Sequence, residues 1–348
     1  MANLDAEVAI IGAGPIGLEL ALALKRAEVD YIQFDAKQIG YTISWFPPQT
    51  RFFSSNERIA IAGNPVMTDD QGKCTREHYL GYLRGIVQQF GLRVRTYEPI
   101  VNIQQEGDQF VLTSRPNSGE QTYRVQKLVL ATGGTDHPRV LNVPGENLPH
   151  VSHYFTDPHQ YFGRKVLIVG GKNSAVESAL RCYQAGASVS FSYRRSGLRE
   201  RSIKYWLVPE INGYFKSGAI TPYFSTCVKE ILPDRVLLTD GISLECGTTA
   251  REVQADFVLL LIGYEADMTL CRLAGVELIG SGQIPRFDPL TMQTNVPGVY
   301  VAGTAVGGTQ DKYEVFIENC HVHVDRIVAS LTGAPPPEAP APFERPES

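Results

Sequence analysis

Two glycine-bearing strings carry the most specific chemistry in this sequence. The first reads Ala9-Ile10-Ile11-Gly12-Ala13-Gly14-Pro15-Ile16-Gly17. In the G-x-G-x-x-G spacing, Gly12 permits a tight turn and Gly14 lets the backbone approach a pyrophosphate. Gly17 lets the following helix pack closely on a sheet. The pyrophosphate then faces unpaired N–H groups and the positive end of a helix dipole. Asp35 stands 23 residues after Gly12, at the end of the apolar run Tyr31–Phe34, where a carboxylate accepts hydrogen bonds from ribose hydroxyls. A glycine string alone is weak evidence, but one that follows a strand, opens a helix and has its acid in place is specific.

The second string, Val166-Leu167-Ile168-Val169-Gly170-Gly171-Lys172-Asn173-Ser174-Ala175, is less regular. Lys172 occupies the second-glycine position and Ala175 the third, so Lys172 either meets a phosphate as a point charge or lies exposed beside the turn. The strand after it ends in Arg194-Arg195, with Arg199 and Arg201 close behind. An acid there binds the 2′-hydroxyl of NAD, whereas arginines pair with the 2′-phosphate of NADP. The candidate NADPH-binding residues are therefore Gly170, Lys172, Asn173, Ser174, Ala175, Arg194, Arg195 and Arg199.

Two nucleotide sites in one chain point to a flavin and a nicotinamide. Leu130-Ala131-Thr132-Gly133-Gly134 ends an apolar strand in glycines, and the stretch from Thr294 to Thr304 reads as a turn, a buried strand and another glycine, Gly303. A helix expected to begin near 310–311 would turn its N-terminus toward the flavin and stabilise negative charge on the reduced ring. The candidate FAD-binding residues are Gly12, Gly14, Pro15, Ile16, Gly17, Asp35, Ala36, Lys37, Trp45, Phe46, Ala131, Thr132, Gly133, Gly303 and Thr304. Trp45 and Phe46 enter as aromatic covers for the ring system, or as core aromatics.

The elements that position these residues follow from the apolar pattern. Runs at 7–14, 127–134, 165–171, 257–263 and 298–303 lack strict alternation and end in glycine, as do strands buried on both faces of a parallel sheet. Helix-period segments at 17–27 and 174–185 lie between them, so βαβ units and an α/β fold are predicted. A β-meander is expected over 104–124 around Pro116-Asn117-Ser118-Gly119, and a second hairpin over 235–244 around Asp240-Gly241. Residues 333–348 form a Pro-rich tail, expected to be disordered.

The 348 residues suffice for two domains. A net charge of −5 gives no electrostatic reason to expect nucleic acid or an anionic membrane as partner. No apolar stretch approaches the roughly 20 residues of a spanning helix, and Asp5 and Glu7 sit where a signal peptide carries positive charge. A soluble, cytoplasmic protein is expected. Its six cysteines contain no C-x-x-C and no paired metal spacing, so they are expected as free thiols, with no metal site.

These motifs, in this order, resemble the low-molecular-weight thioredoxin-reductase-like flavoproteins. Within that group the chain is most similar to the bacillithiol-disulfide-reductase family. The matching strings are Ser44-Trp45-Phe46-Pro47, Phe52-Phe53-Ser54, Gly170-Gly171-Lys172-Asn173-Ser174-Ala175, Lys204-Tyr205-Trp206 and Glu314-Val315-Phe316-Ile317-Glu318-Asn319. The resemblance implies two Rossmann-like dinucleotide-binding domains, the NADPH domain (136–264) inserted in the FAD domain (1–135 and 265–332), and a homodimer. It departs in two places. Thioredoxin reductases carry C-A-T-C soon after the P-G-E segment, here Pro144-Gly145-Glu146, but this chain reads Val151-Ser152-His153-Tyr154 there. The bacillithiol family's proposed cysteine lies in the first glycine turn, where this chain has Ile16.

Beside the cofactors, His153 is a candidate proton donor or an ordinary hydrogen-bonded histidine. Cys320 is a candidate redox thiol or a buried inert one. His321 and His323, two apart on a helix, cannot share a metal. The leading expectation is an FAD-dependent, NADPH-oxidising enzyme whose acceptor is a small-molecule disulfide or a redox protein. The alternatives are a ferredoxin- or quinone-type NADPH reductase, a flavin monooxygenase, and a non-catalytic flavoprotein.

Overall fold

The strand Gln121–Leu130 is ten residues long and serves two different sheets' worth of partners. Its first half pairs antiparallel with Gln109–Ser114, completing a meander with Ile100–Glu106. Its second half pairs parallel with Ala6–Ile11 on one side and with Val299–Val301 on the other. Tyr31–Phe34 and Val94–Arg95 extend this seven-stranded sheet beyond Ala6–Ile11. The computed structural model describes residues 4–241 and 250–335, and these divide into two compact units. The first runs to His137 and resumes at Tyr264; the second is Pro138–Gly263.

In the first unit, Ala6–Ile11 is buried at every position but Glu7, which accounts for its unbroken apolar run in place of alternation. The helix Pro15–Arg26 begins with Pro15 in its first turn, where the missing N–H costs nothing. Its apolar residues Leu18, Leu20, Leu22 and Leu24 are all buried, each worth about 1.5–3 kcal/mol of burial, so the helix is covered on more than one side.

The second unit holds a parallel sheet ordered Ile220–Phe224, Ser188–Tyr193, Lys165–Val169, Phe257–Leu260, Val151–Ser152. The helix Asn173–Gln184 packs Val176, Ala179 and Leu180 into one core of the unit. An antiparallel sheet of Thr226–Ile231, Arg235–Asp240 and Ala250–Gln254 packs Val228, Val236 and Val253 into another. The α/β fold with parallel sheets and the meander match the sequence reading.

Two expectations change, and a third falls mostly outside the described residues. The strand Arg235–Asp240 forms, but its returning partner is Ala250–Gln254, later than the expected end at 244; residues 242–249, with Cys246, lie outside the described residues. No helix begins near 310–311. There the Gln310 side-chain oxygen accepts the Glu314 and Val315 amides, each at 2.9 Å, and Asn319 Oδ1 accepts the Phe316 amide at 2.8 Å. Side chains thus satisfy amides that a helix would otherwise pair. The helix starts at His321 and runs to Thr332, with Gly333 in the left-handed region at its end. Of the Pro-rich tail, 336–348 lies outside the described residues.

Among the described residues no helix is long and apolar enough to cross a membrane.

Candidate nucleotide-binding turns

Register decides which residues gather at the first glycine turn. Leu130 pairs with Ile11 and with Val301, so three parallel strands end level with one another. Gly12, Ala131 and Gly303 therefore follow at one sheet edge, the carboxyl end at which α/β sheets bind ligands. Gly12 has φ +114°, and a Cβ there would lie 2.2 Å from the Ala131 carbonyl oxygen. At Gly17 a Cβ would lie 2.2 Å from the Gly12 carbonyl oxygen, which is the close helix–turn packing the spacing demands. Gly14, by contrast, has no atom within 4 Å of its missing Cβ, and no side chain caps the helix it opens. The open face and uncapped amides fit a pyrophosphate.

Asp35 closes this turn from the second strand. Its Oδ2 accepts the Ala13 amide at 2.7 Å and its Oδ1 the Lys37 amide at 2.8 Å. Burial raises its carboxyl above the ordinary range, and the Lys37 and Ala13 amides pull it back. A carboxylate offers about four lone-pair sites, so two amides leave capacity for ribose hydroxyls. Gly40 donates to the Ala13 carbonyl at 3.0 Å and carries the short helix Tyr41–Ser44. Trp45 follows it, half-buried, its ring 4.8 Å from Tyr264 and 5.3 Å from Phe46. Lys37 Nζ lies 5.9 Å from the Tyr41 ring centroid, and Ala36 is exposed beside it. Ile16 is buried, with its side chain against Gly303.

The second turn repeats this geometry with different residues. Gly170 has φ +145°, and a Cβ there would lie 2.3 Å from the Leu261 carbonyl oxygen. Ala175 is fully buried beneath it, its methyl occupying the space that a glycine leaves open in the first turn. The Tyr193 ring lies against Gly171, where a Cβ would sit 2.3 Å from it. Lys172 and Ser174 are exposed at the start of Asn173–Gln184. Asn173 Oδ1 accepts the Lys204 amide at 2.6 Å. Arg194 and Arg199 are exposed and Arg195 half-buried; among the described residues neither they nor Arg201 makes an ion pair.

His153 lies in the second unit with Nε2 3.5 Å from Glu146 Oε1. The Glu146 carboxylate accepts the amides of Leu141 at 2.8 Å and Asn142 at 2.6 Å, and the His153 Nδ1 is buried without a hydrogen-bond partner among the described residues. Sequence reasoning passed over Glu146 as a carboxylate; its place in the Pro144-Gly145-Glu146 turn was the available signal.

Four of the five described cysteines stand where a small apolar residue belongs. Cys74, Cys182, Cys271 and Cys320 are buried, and Cys227 is half-buried. Burial pushes the Cys74 and Cys182 thiols up to about 12 and Cys271 to about 11. Cys320 stands higher still, through burial and then the nearby Glu19 carboxylate. A candidate redox thiol must supply a thiolate; Cys320 is fully buried just before His321–Thr332, where burial disfavours the thiolate. Among the described residues no group of His, Cys, Asp and Glu could hold a metal ion.

Known proteins resemble this chain over most of its length. The chain is 34% identical to the bacilliredoxin reductase Bdr of Bacillus subtilis over 323 residues, covering 92% of this chain and 96% of that one. It is 28% identical to a ferredoxin–NADP reductase of Ignicoccus hospitalis, covering 84% of this chain and 88% of that one. Among solved structures, the bacillithiol disulfide reductase Bdr of Bacillus cereus superposes with a TM-score of 0.88 at 32% identity, over 94% of this chain and 99% of that one. Thioredoxin reductase of T. acidophilum shares the fold, with a TM-score of 0.72 at 19% identity, over 95% and 99%. The family model described as pyridine nucleotide-disulphide oxidoreductase matches residues 9–303. The chain belongs to the pyridine nucleotide-disulphide oxidoreductase family.

Proposed function

We propose that this chain is an FAD-dependent oxidoreductase that oxidises NADPH and reduces a disulfide. One contrast carries the reading. Two glycine turns of like geometry end their second strands in opposite charge, Asp35 in one and Arg194-Arg195 in the other. A carboxylate suits free ribose hydroxyls; unpaired arginines suit a 2′-phosphate. The first unit is thus assigned to FAD through Gly12, Gly14, Gly17, Asp35, Ala131 and Gly303, and the second to NADPH through Gly170, Arg194, Arg195 and Arg199.

A flavin held by these residues would supply the two-electron chemistry that links the nicotinamide to the acceptor. The chain's own residues bind and orient: the uncapped amides after Gly14 hold phosphate, Asp35 holds ribose, and Ile16 keeps the turn apolar. Overall, NADPH, a proton and a disulfide become NADP⁺ and two thiols. The S–S bond breaks, and His153, backed by Glu146, is the proton donor proposed for the leaving sulfur. The acceptor class, a low-molecular-weight disulfide or a redox protein carrying one, is supported by the likeness to Bdr proteins. The same reading makes the chain a cytoplasmic homodimer.

A second reading, transfer to an electron-carrier protein, is favoured by the absence of C-x-x-C and by the ferredoxin–NADP reductase relatives. Anaerobic stopped-flow separates the two. Fast flavin reduction by NADPH, slow reduction by NADH and reoxidation by bacillithiol disulfide support the first. Reduction without reoxidation by any disulfide, but with reoxidation by ferredoxin, supports the second.

A further inference from the structure

Lys204 is almost completely buried, an unusual position for a lysine. Its Nζ lies 2.7 Å from Glu177 Oε2, with the two side chains 9% and 17% exposed. Its amide donates to Asn173 Oδ1 at 2.6 Å. Both partners lie on the first turns of Asn173–Gln184, the helix that the second glycine turn opens. A buried ion pair contributes little net stability over an apolar pair of the same shape, but it fixes geometry. What this one fixes is the end of the segment that carries the arginines.

That segment is held at four further points. The strand Ser188–Tyr193 delivers Arg194, and the Arg195 carbonyl accepts the Ser225 amide at 2.9 Å. Glu200 Oε1 accepts from Asn212 Nδ2 at 3.0 Å, and Ile203 is 4% exposed in the core of the unit. Between these anchors the arginine side chains make no ion pair among the described residues. Ordering a long side chain costs binding energy, and a backbone already in place reduces that cost.

We infer that Lys204, clamped to Glu177 and Asn173, is a positioning residue that holds the arginine segment ready for the 2′-phosphate of NADP and so sets the preference for NADPH over NADH. The inference rests on the arginine reading above and assigns Lys204 no contact with the nucleotide.

The test titrates two fragments into the holoenzyme by calorimetry: 2′,5′-ADP, and 5′-AMP, which lacks only the 2′-phosphate. Neither carries a nicotinamide. Lys204→Met is expected to weaken 2′,5′-ADP about tenfold while leaving 5′-AMP within about twofold. Lys204→Met combined with Glu177→Gln removes the carboxylate left unpaired and is expected to show the same selective loss in a more stable protein. Asn173→Ala, which removes only the acceptor for the Lys204 amide, is expected to show a smaller loss of the same kind. Wild-type affinity for 2′,5′-ADP in any folded Lys204 variant, or equal weakening of both fragments, overturns the clamp. A wild-type chain that binds both fragments alike, or an Arg195→Ala variant that keeps 2′,5′-ADP affinity, overturns the arginine reading itself.

Discussion

His321 Nδ1 lies 2.7 Å from Glu19 Oε2, joining two residues 302 positions apart in the chain. Nε2 of the same ring lies 2.8 Å from the Arg58 carbonyl oxygen. A carbonyl can only accept and an ionised carboxylate does likewise, so these two contacts suit the imidazolium form, which donates from both nitrogens. Glu19 Oε1 accepts the Ala62 amide at 2.8 Å. One buried carboxylate thus ties the first glycine helix to the segment around Arg58–Ala62 and to the C-terminal helix. In sequence its only trace is a single acid among the apolar residues of Pro15–Arg26.

This arrangement makes stability depend on pH from the alkaline side. Burial pulls the His321 ring down, but the Glu19 hydrogen bond and charge and the Arg58 carbonyl outweigh it, leaving the pKa above its ordinary value. The stability it contributes is complete below about pH 6.5, the unfolded value, and is lost as pH rises through the folded one. His323 acts from the acid side. Burial, then the Arg326 and His321 charges, lower it to about 4. Its contribution is present above pH 6.5 and is lost as pH falls toward 4, on the order of 3 kcal/mol in all. Urea denaturation across pH should therefore show a maximum near neutrality. His321→Gln should flatten its alkaline limb and His323→Asn its acid limb; limbs unmoved by either change would refute the assignment.

The two inner glycines of the first turn should fail in different ways. Gly17→Ala drives a Cβ to 2.2 Å from the Gly12 carbonyl oxygen and is expected to cost about 3 kcal/mol or more of stability. Gly14→Ala meets no atom within 4 Å, so the apoprotein should melt near the wild-type temperature while retaining less flavin. Melting curves and the flavin-to-protein absorbance ratio separate the outcomes. An unaltered flavin content in Gly14→Ala would remove that glycine from the proposed FAD site.

If His153 hands a proton to the departing sulfur, His153→Gln should lower disulfide turnover by about 10²-fold without slowing reduction of the flavin by NADPH. Equal slowing of both half-reactions would point to a packing role for the ring.

Thiol chemistry should be quiet. Buried, protonated Cys74, Cys182, Cys271 and Cys320 should resist iodoacetamide in the native holoenzyme near pH 7.5 and react once it is denatured. Cys320→Ala should keep disulfide turnover within about twofold of wild type. A stable mixed disulfide at Cys320, seen by mass spectrometry, would restore the thiol relay.

Both glycine turns were legible because their requirements are local. Positive φ at Gly12 and Gly170 and close backbone approach at Gly17 each restrict the residue at that position. The exchange of Gly17 for Ala175 in the second turn was visible too, since a buried methyl needs only one carbon's width. The late start of the last helix was not legible, because Gln310 and Asn319 capture backbone amides through side chains whose reach a periodicity does not register.

By itself, then, the sequence determined the buried parallel strands, the helices that leave each glycine turn, and the charge that closes each second strand. These depend on residue type within a few positions. Only the tertiary structure decided that Ile11, Leu130 and Val301 end level, that Lys204 is spent on Glu177, that His321 finds Glu19, and that the Cys74, Cys182, Cys271 and Cys320 thiols are buried. The physical reason is common to all four. Pairing register, desolvation and ion pairing depend on groups brought together from distant parts of the chain, and no local pattern records their distance.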